Sequence, residues 1–299
     1  MVVVTTASVG YNLATNGSAP RPSDLNMVRA GGFDTRFRTW GASGSPIVLV
    51  PGAVETADTF AGLGAVLGRD HRVFAIDLIG TGYSTPSSPY TAAHMAEQVL
   101  AFLQAEGLTG RDVPVLVGHS SGAAVVGLAA LREPGRVKGV VFLDGDALPL
   151  PVPTFIGRLV VNPYRTTILR LGVGSSWLVK RIYDANCGPS CPPLNRAGLK
   201  SWQRPLQRPG FEAAMAYTLK HGIPSMSDAE LSRLKAIPIP KGVIVGAEDP
   251  QMSAADEKAT AARIGAPPPA TVPGRHLTMI SSAEPVATAI GNLISRPQS

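Results

Sequence analysis

No stretch of this 299-residue chain approaches the roughly 18 to 20 apolar residues a membrane-spanning helix needs, so nothing in it reads as a spanning segment. It has no run of about five or more Lys or Arg, and aromatic residues are only 6% of it. A nucleic-acid groove, which wants basic stripes interleaved with stacking rings, is therefore not expected. Cysteines number two and histidines five, without the clustered spacing of a metal site, so neither a metal nor another cofactor is expected. Charged residues are scarce at 16%, against 44% hydrophobic, which describes a globular chain with a substantial core. The balance is basic, +6 with a pI near 9.5, and in a general way that favours acidic surfaces.

The N-terminus, MVVVTTASVGYNLATNG, is mildly apolar but lacks the basic start and long apolar core of a complete signal peptide. It reads either as the tail of a removed anchor or export signal or as a disordered leader. Ala7 to Asp24 is rich in Ser, Asn, Gly and Pro, so residues 1–26 are expected to be flexible and structure to begin near Met27.

What the chain does have is one organising stretch, Val113 to Ala129. An apolar run (Val113, Val115, Leu116, Val117) stops at Gly118-His119-Ser120-Ser121-Gly122, and a small-residue helical run follows at once. A buried strand feeding a helix through Gly-x-Ser-x-Gly forces a tight turn with the middle side chain held out from the sheet. A β-carbon at either glycine would collide across so sharp a bend. Ser120 would then present its hydroxyl at the positive end of a helix.

Around this elbow, strands and helices alternate. Phe33 to Trp40 alternates like an antiparallel strand with one wet face. Ile47–Val50, Arg72–Ile76, Val137–Leu143 and Gly242–Val245 are solid apolar runs of the kind buried on both faces of a parallel sheet, and a short strand is expected near Pro269 to Val272. Between them lie helical patterns at Ala57–Leu67, Thr91–Glu106, Ala254–Ile264 and Ala283–Ile294, implying right-handed crossovers and a mostly parallel sheet. From Leu148 to Ile237 the pattern changes to proline-rich helical pieces such as Ser176–Tyr183 and Gly210–His221. The expected organisation is a core of residues 27–147 and 238–299, with a helical cap over 148–237.

The elbow, the turn Pro51-Gly52, the loop Asp77-Leu78-Ile79-Gly80-Thr81-Gly82-Tyr83-Ser84, Gly246-Ala247-Glu248-Asp249 and Gly274-Arg275-His276 together resemble the α/β-hydrolase superfamily, in its serine-nucleophile, esterase- or lipase-like branch. That resemblance implies an α/β-hydrolase fold, a mostly parallel central sheet flanked by helices, and a triad in the order Ser…Asp/Glu…His. Ser120 is the implied nucleophile. His276, alone among the histidines, follows the last expected strand in a loop, where the family places its base; His71, His94, His119 and His221 lie elsewhere. Asp249, in a turn after the strand Val243–Val245, is the leading acid. Asp144 and Asp146, at the end of the strand after the elbow helix, are the alternative. The backbone N–H groups of Ala53 and Ser121 are the implied oxyanion donors. Many relatives carry His-Gly where this chain has Pro51-Gly52, which changes the hydrogen bonding available to brace that loop.

A serine at the nucleophile position excludes the relatives that use aspartate there and implies an acyl-enzyme. The expected partner is a small-molecule ester with an apolar acyl or alcohol part. Thioester or carbon–carbon bond hydrolysis, a haloperoxidase-like side activity, or a non-catalytic ligand-binding role remain within the same fold.

Within the cap, from Arg158 to Arg208, the basic residues Arg158, Arg165, Arg170, Lys180, Arg181, Arg196, Lys200, Arg204 and Arg208 stand against a single acid, Asp184, and interleave with Phe155, Ile156, Leu159, Val160, Ile168, Leu171, Trp177 and Leu178. Such a cap walls an acyl pocket with its apolar face while its long basic side chains reach solvent. The same charges also fit peripheral contact with an anionic membrane surface. Cys187 and Cys191, with three residues between them including Gly and Pro, are placed to pair. A disulfide would favour an exported or membrane-associated protein; two reduced thiols would fit the cytoplasm equally.

Overall fold

A computed structural model describes residues 2–16, 21–149, 161–208 and 210–294. Eight strands form one sheet in the order β1-β2-β4-β3-β5-β6-β7-β8. They are β1 (Asn26–Ala30), β2 (Phe33–Trp40), β3 (Pro46–Val50), β4 (Arg72–Ile76), β5 (Val115–His119), β6 (Gly139–Leu143), β7 (Lys241–Gly246) and β8 (Ala270–Val272). β1 and β2 pair antiparallel, and β2 runs antiparallel to β4. From β4 through β8 every pairing is parallel.

The continuous apolar runs have the burial they call for. Val48 and Val50 face one side of the sheet and Ile47 and Leu49 the other, and all four are fully buried. Successive strand residues point to opposite faces, so such a strand needs helices on both sides. On one face lie α3 (Ala92–Ala105) and the elbow helix α4 (Gly122–Arg132); on the other, α2 (Ala61–Leu67) and the closing helix α12 (Ala283–Ile294). α4 is buried from Gly122 through Ala130. Only a small-residue sequence lets a helix approach the sheet along so much of its length.

Two expectations need correcting. Residues 1–26 do not read as a uniformly flexible leader, because α1 (Val2–Ala14) is helical. It is held against α5 (Tyr164–Gly174) by Thr5 Oγ1 to Tyr164 Oη at 2.5 Å and by Asn12 Nδ2 donating to the Pro163 carbonyl at 2.9 Å. The sheet also begins earlier than expected: β1 forms a hairpin with β2 through Gly31-Gly32, both at positive φ (58° and 86°). Such a two-residue turn matches the strand twist only when both residues are left-handed, which glycine permits.

Between β6 and β7 the described chain is helical: α5, α6 (Ser176–Cys187), α7 (Arg196–Leu206), α8 (Phe211–His221) and α9 (Asp228–Lys235). Cys187 and Cys191 are disulfide-bonded. The cap residues Phe155, Ile156, Arg158, Leu159 and Val160 lie outside the described residues. After β7 come α10 (Ala254–Ile264) and, past β8, the short α11 (Thr278–Ser281).

Glu257, on α10, is fully buried, and neither carboxyl oxygen has a hydrogen-bond partner among the described residues. Burial first, then the nearby carboxylates of Asp144 and Asp249, pushes its pKa up to about 8. A carboxyl whose folded pKa exceeds its unfolded one is neutral in the fold and ionised in the open chain between the two values. Stability therefore falls as pH rises from about 4.5 to about 8. Glu257→Gln keeps the shape without the ionisation. It is expected to melt close to the parent at pH 5 and several degrees above it at pH 9 in scanning calorimetry. Parallel melting curves at both pH values would show the carboxyl to be solvated.

Candidate active site

The elbow is built as the sequence requires. Ser120 sits at φ 51° between β5 and α4, a left-handed conformation that costs a non-glycine residue of order 1–3 kcal/mol. A β-carbon on Gly118 would lie 2.3 Å from the Gly122 carbonyl oxygen, and one on Gly122 would lie 2.5 Å from that of Val50. Both positions are closed to any other residue. The four described non-glycine residues at positive φ are Val54, Ser120, Asp144 and Ala147, all in segments following β3, β5 and β6 at the carboxyl edge of the parallel sheet. Strain at that edge marks where an open α/β sheet places its ligands.

His276, in the loop after β8, brings Nε2 to 3.1 Å from Ser120 Oγ. Its Nδ1 lies 2.8 Å from Asp249 Oδ2, and the Asp249 side chain is fully enclosed. A carboxylate only accepts, so Nδ1 carries the proton and donates to Asp249. Nε2 is left to accept from the serine hydroxyl. The three residues lie 27 and 156 positions apart in sequence, yet form one continuous relay.

The alternative acids are engaged elsewhere. Asp144 is fully buried and accepts from the Gly246 N–H (2.9 Å), the Thr278 N–H (3.2 Å) and Thr278 Oγ1 (2.5 Å), tying β6 to β7 and to α11. Burial pushes its carboxyl up to about 6, against the pull of His119 and Thr278. Asp146 accepts from the Leu148 N–H at 2.9 Å. Among the described residues, the N–H groups of Ala53 and Ser121 donate to no protein acceptor, whereas that of Gly52 is taken by Glu55 Oε2 at 2.9 Å. Gly52 packs against Ser120 so closely that a β-carbon there would be 2.8 Å from Ser120 Cβ. Ala53 follows Gly52 and Ser121 follows Ser120, so both donors belong to residues next in sequence to this contact.

Glu55 is the residue that sequence reasoning missed. Besides holding the Gly52 N–H, its Oε2 accepts from His119 Nδ1 at 2.8 Å. The other ring nitrogen of His119 donates to the His276 carbonyl oxygen at 2.7 Å. Both nitrogens face acceptors, so the imidazole carries both protons. Burial works against that charge, but Glu55 outweighs it with help from Asp144, raising His119 to about 9. The same pairing holds Glu55 below the usual carboxylate range despite burial. This buried pair ties the loop of Gly52 and Glu55 to the backbone of His276. The only signal in the sequence was a glutamate three residues after Gly52.

Beside the loop after β3 a cavity of about 320 Å³ is walled by Val54, Thr59, Ile280 and, from the segment between β6 and β7, Tyr183, Leu194 and Trp202. Tyr183 and Trp202 meet edge-on at 5.5 Å. The walls are mostly apolar, with Glu55 and Asp58 among them. Among the described residues no group of His, Cys, Asp and Glu side chains is arranged to hold a metal ion.

Residues 47–289 match the Alpha/beta hydrolase family. The chain belongs to that family. This α/β hydrolase is 29% identical over 197 residues to human monoglyceride lipase, covering 62% of this chain and 65% of that protein. It is 30% identical over 119 residues to N-formylmaleamate deformylase of Pseudomonas putida, covering 39% of this chain and 43% of that one. The chain thus spans less than two thirds of the length of these curated relatives. Among solved structures, a thermophilic esterase from Thermogutta terrifontis superposes with a TM-score of 0.73 at 23% identity, over 93% of this chain and all of that one. A thioesterase domain from the curacin biosynthetic pathway superposes at 0.65 with 18% identity, over 90% and 99%. The family and its α/β-hydrolase fold follow, and a lipase and an esterase are among the proteins the chain resembles.

Proposed function

We propose that this α/β hydrolase cleaves carboxylic esters of small to medium apolar molecules through an acyl-enzyme on Ser120. The observation that carries the reading is the unbroken relay from Asp249 through His276 to Ser120, next to two unoccupied backbone donors. A serine hydroxyl is a weak nucleophile at neutral pH and needs a base within hydrogen-bond reach. As Ser120 Oγ bonds to the acyl carbon, its proton passes to His276 Nε2, and the Ala53 and Ser121 N–H groups hold the carbonyl oxygen as it becomes an anion. The tetrahedral centre collapses, the ester C–O bond breaks, and His276 returns the proton to the departing alcohol. Water, deprotonated by the same nitrogen, then releases the acid and restores Ser120.

The apolar wall of Tyr183, Leu194 and Trp202 supports an aliphatic or aromatic substituent rather than a charged one. The same three side chains would serve another activated carbonyl, such as a thioester, and the likeness to a thioesterase domain keeps that second reading in view.

A panel of p-nitrophenyl esters of increasing acyl length tests the proposal, with a fluorophosphonate probe run in parallel. Expected are turnover of the short to medium esters and one probe per chain. A folded protein that neither turns over any ester nor takes up the probe would be a ligand-binding member of the fold.

A further inference from the structure

Two features of the cap side play no part in the relay. The first is α1, a helix without a single charged residue that nonetheless faces water. Val3 is 81% and Leu13 72% exposed. The second is a run of apolar side chains on the neighbouring helices. Trp177 is 70% exposed, and Val161, Ile168, Leu171 and Ile182 are each more than half exposed.

Apart from Val161, which lies just ahead of α5, these side chains lie on adjoining helices. α5 is clamped to α1 through Thr167 Oγ1 to Asn12 Oδ1 (3.0 Å) and Arg170 Nη1 to the Asn12 carbonyl (2.6 Å). It also meets α6, where a β-carbon built on Gly172 would lie 3.7 Å from Leu178 Cδ2. Ile168 and Leu171 therefore stand on a helix that touches both α1 and the helix of Trp177 and Ile182. Isolated exposed apolar residues are ordinary, whereas a group of this size on neighbouring helices marks a contact surface.

The surrounding charge selects the occupant. Trp177, Lys180, Arg181, Asp184, Ala185 and Arg275 line an open depression. The acid there, Asp184, is paired with Lys180 at 2.6 Å, and Arg181 stacks over the Trp177 ring at 5.7 Å. Arg275 holds the carbonyls of Asp184 and Ala185. Arg165 adds a further cation on α5. Aliphatic side chains and one tryptophan, edged by cations with a single compensated acid, match the boundary of an anionic bilayer: acyl chains below, phosphates at the level of the guanidinium groups.

We propose that the face formed by α1, α5 and α6 docks on an anionic lipid surface, with Trp177 and its apolar neighbours entering the acyl boundary and Lys180, Arg181 and Arg275 meeting the headgroups. No described helix is long and apolar enough to cross a membrane, so the contact is peripheral. It also bears on the site. The Leu277 N–H donates to the Asn186 carbonyl (3.1 Å), and Gln251 Nε2 donates to Asn186 Oδ1 (2.7 Å). The docking helix α6 is thus hydrogen-bonded to the loops that carry His276 and Asp249. The surface proposal does not depend on ester hydrolysis.

The test is sedimentation of the full chain with vesicles of phosphatidylcholine alone and with roughly one third phosphatidylglycerol, each at low and high salt. Expected is binding at least about tenfold tighter to the anionic vesicles, most of it lost at high salt, with a blue shift in tryptophan emission. Trp177→Phe should remove the shift while Trp40 and Trp202 still emit, and Lys180→Glu with Arg181→Glu should erase the preference for anionic lipid. Both variants should keep the parent's turnover of a soluble short-chain ester, a check that they fold. Ser120→Ala should bind vesicles as the parent does, which separates this inference from the proposed reaction. Equal binding to both vesicle types, no binding to either, or a blue shift that survives Trp177→Phe would each overturn it. So would a dimer in solution that Trp177→Ser converts to monomer without any vesicle binding, because the face would then belong to a second copy.

Discussion

Ser120→Ala is expected to lower kcat on a p-nitrophenyl ester by about 10⁴- to 10⁶-fold while leaving KM within a few-fold of the parent. The size of the loss follows from the relay. Without Oγ nothing within reach of His276 Nε2 can form the acyl-enzyme, and only the donors at Ala53 and Ser121, together with substrate binding, still favour reaction with water. Because the relay acts as a unit, Ser120→Ala combined with His276→Ala should be about as slow as either change alone. Stability should hardly move. Alanine at φ 51° carries much the same strain as serine, and the hydroxyl's partner among the described residues is the His276 ring. The measurement is kcat by steady-state kinetics, with the melting temperature alongside. A folded Ser120→Ala protein that retains more than about a tenth of parental kcat would remove Ser120 from the reaction, since nucleophile deletions elsewhere cost orders of magnitude more.

Asp77→Ala carries the largest expected loss of stability. The Asp77 side chain is 0% exposed and Arg36 only 4%. Oδ1 accepts from the Ala57 N–H at 2.8 Å and from Arg36 Nη1 at 3.2 Å, and Oδ2 from the Tyr83 N–H at 2.7 Å. A buried ion pair adds little over a well-packed apolar substitute, because both charges must be taken out of water. Removing one partner is a different matter. It leaves two buried N–H groups unsatisfied and strips Arg36 of one of its two carboxylates, at a cost of about 3–5 kcal/mol. At roughly 2–4 °C per kcal/mol for a chain of this size class, the melting temperature should fall by roughly 6–20 °C. Asp58→Ala is the control. Asp58 also contacts Arg36, at 2.7 Å, but is partly exposed, so its loss should cost about 1 kcal/mol. Equal effects from the two changes would mean that the Asp77 loop is open to water.

Much of this was legible beforehand, and for local reasons. The elbow could be read because its two glycines and its serine are dictated by a single bend a few residues long. The parallel strands could be read because burial on both faces leaves an unbroken apolar run. His276 could be singled out because five histidines leave few choices. What escaped notice was non-local, or went unread. Glu55 has meaning only once His119, 64 residues away, folds beneath it. α1 contains glycine, serine and asparagine, poor helix formers, and takes its place through contacts with α5 some 150 positions later. The Gly31-Gly32 hairpin, by contrast, was present as a two-glycine turn signal ahead of a strand, within the region expected to be structured, and went unread.

The hydrogen bonds from Asn186 to Leu277 and Gln251 have a consequence for anyone who would rebuild this protein. Exchanging the region between β6 and β7 for a relative's, in order to graft a new preference, would also remove the buttress on which the loops of His276 and Asp249 lean. A chimera of that kind should fail in its rate even where its new pocket fits, unless residues 184–187 travel unchanged with the original scaffold.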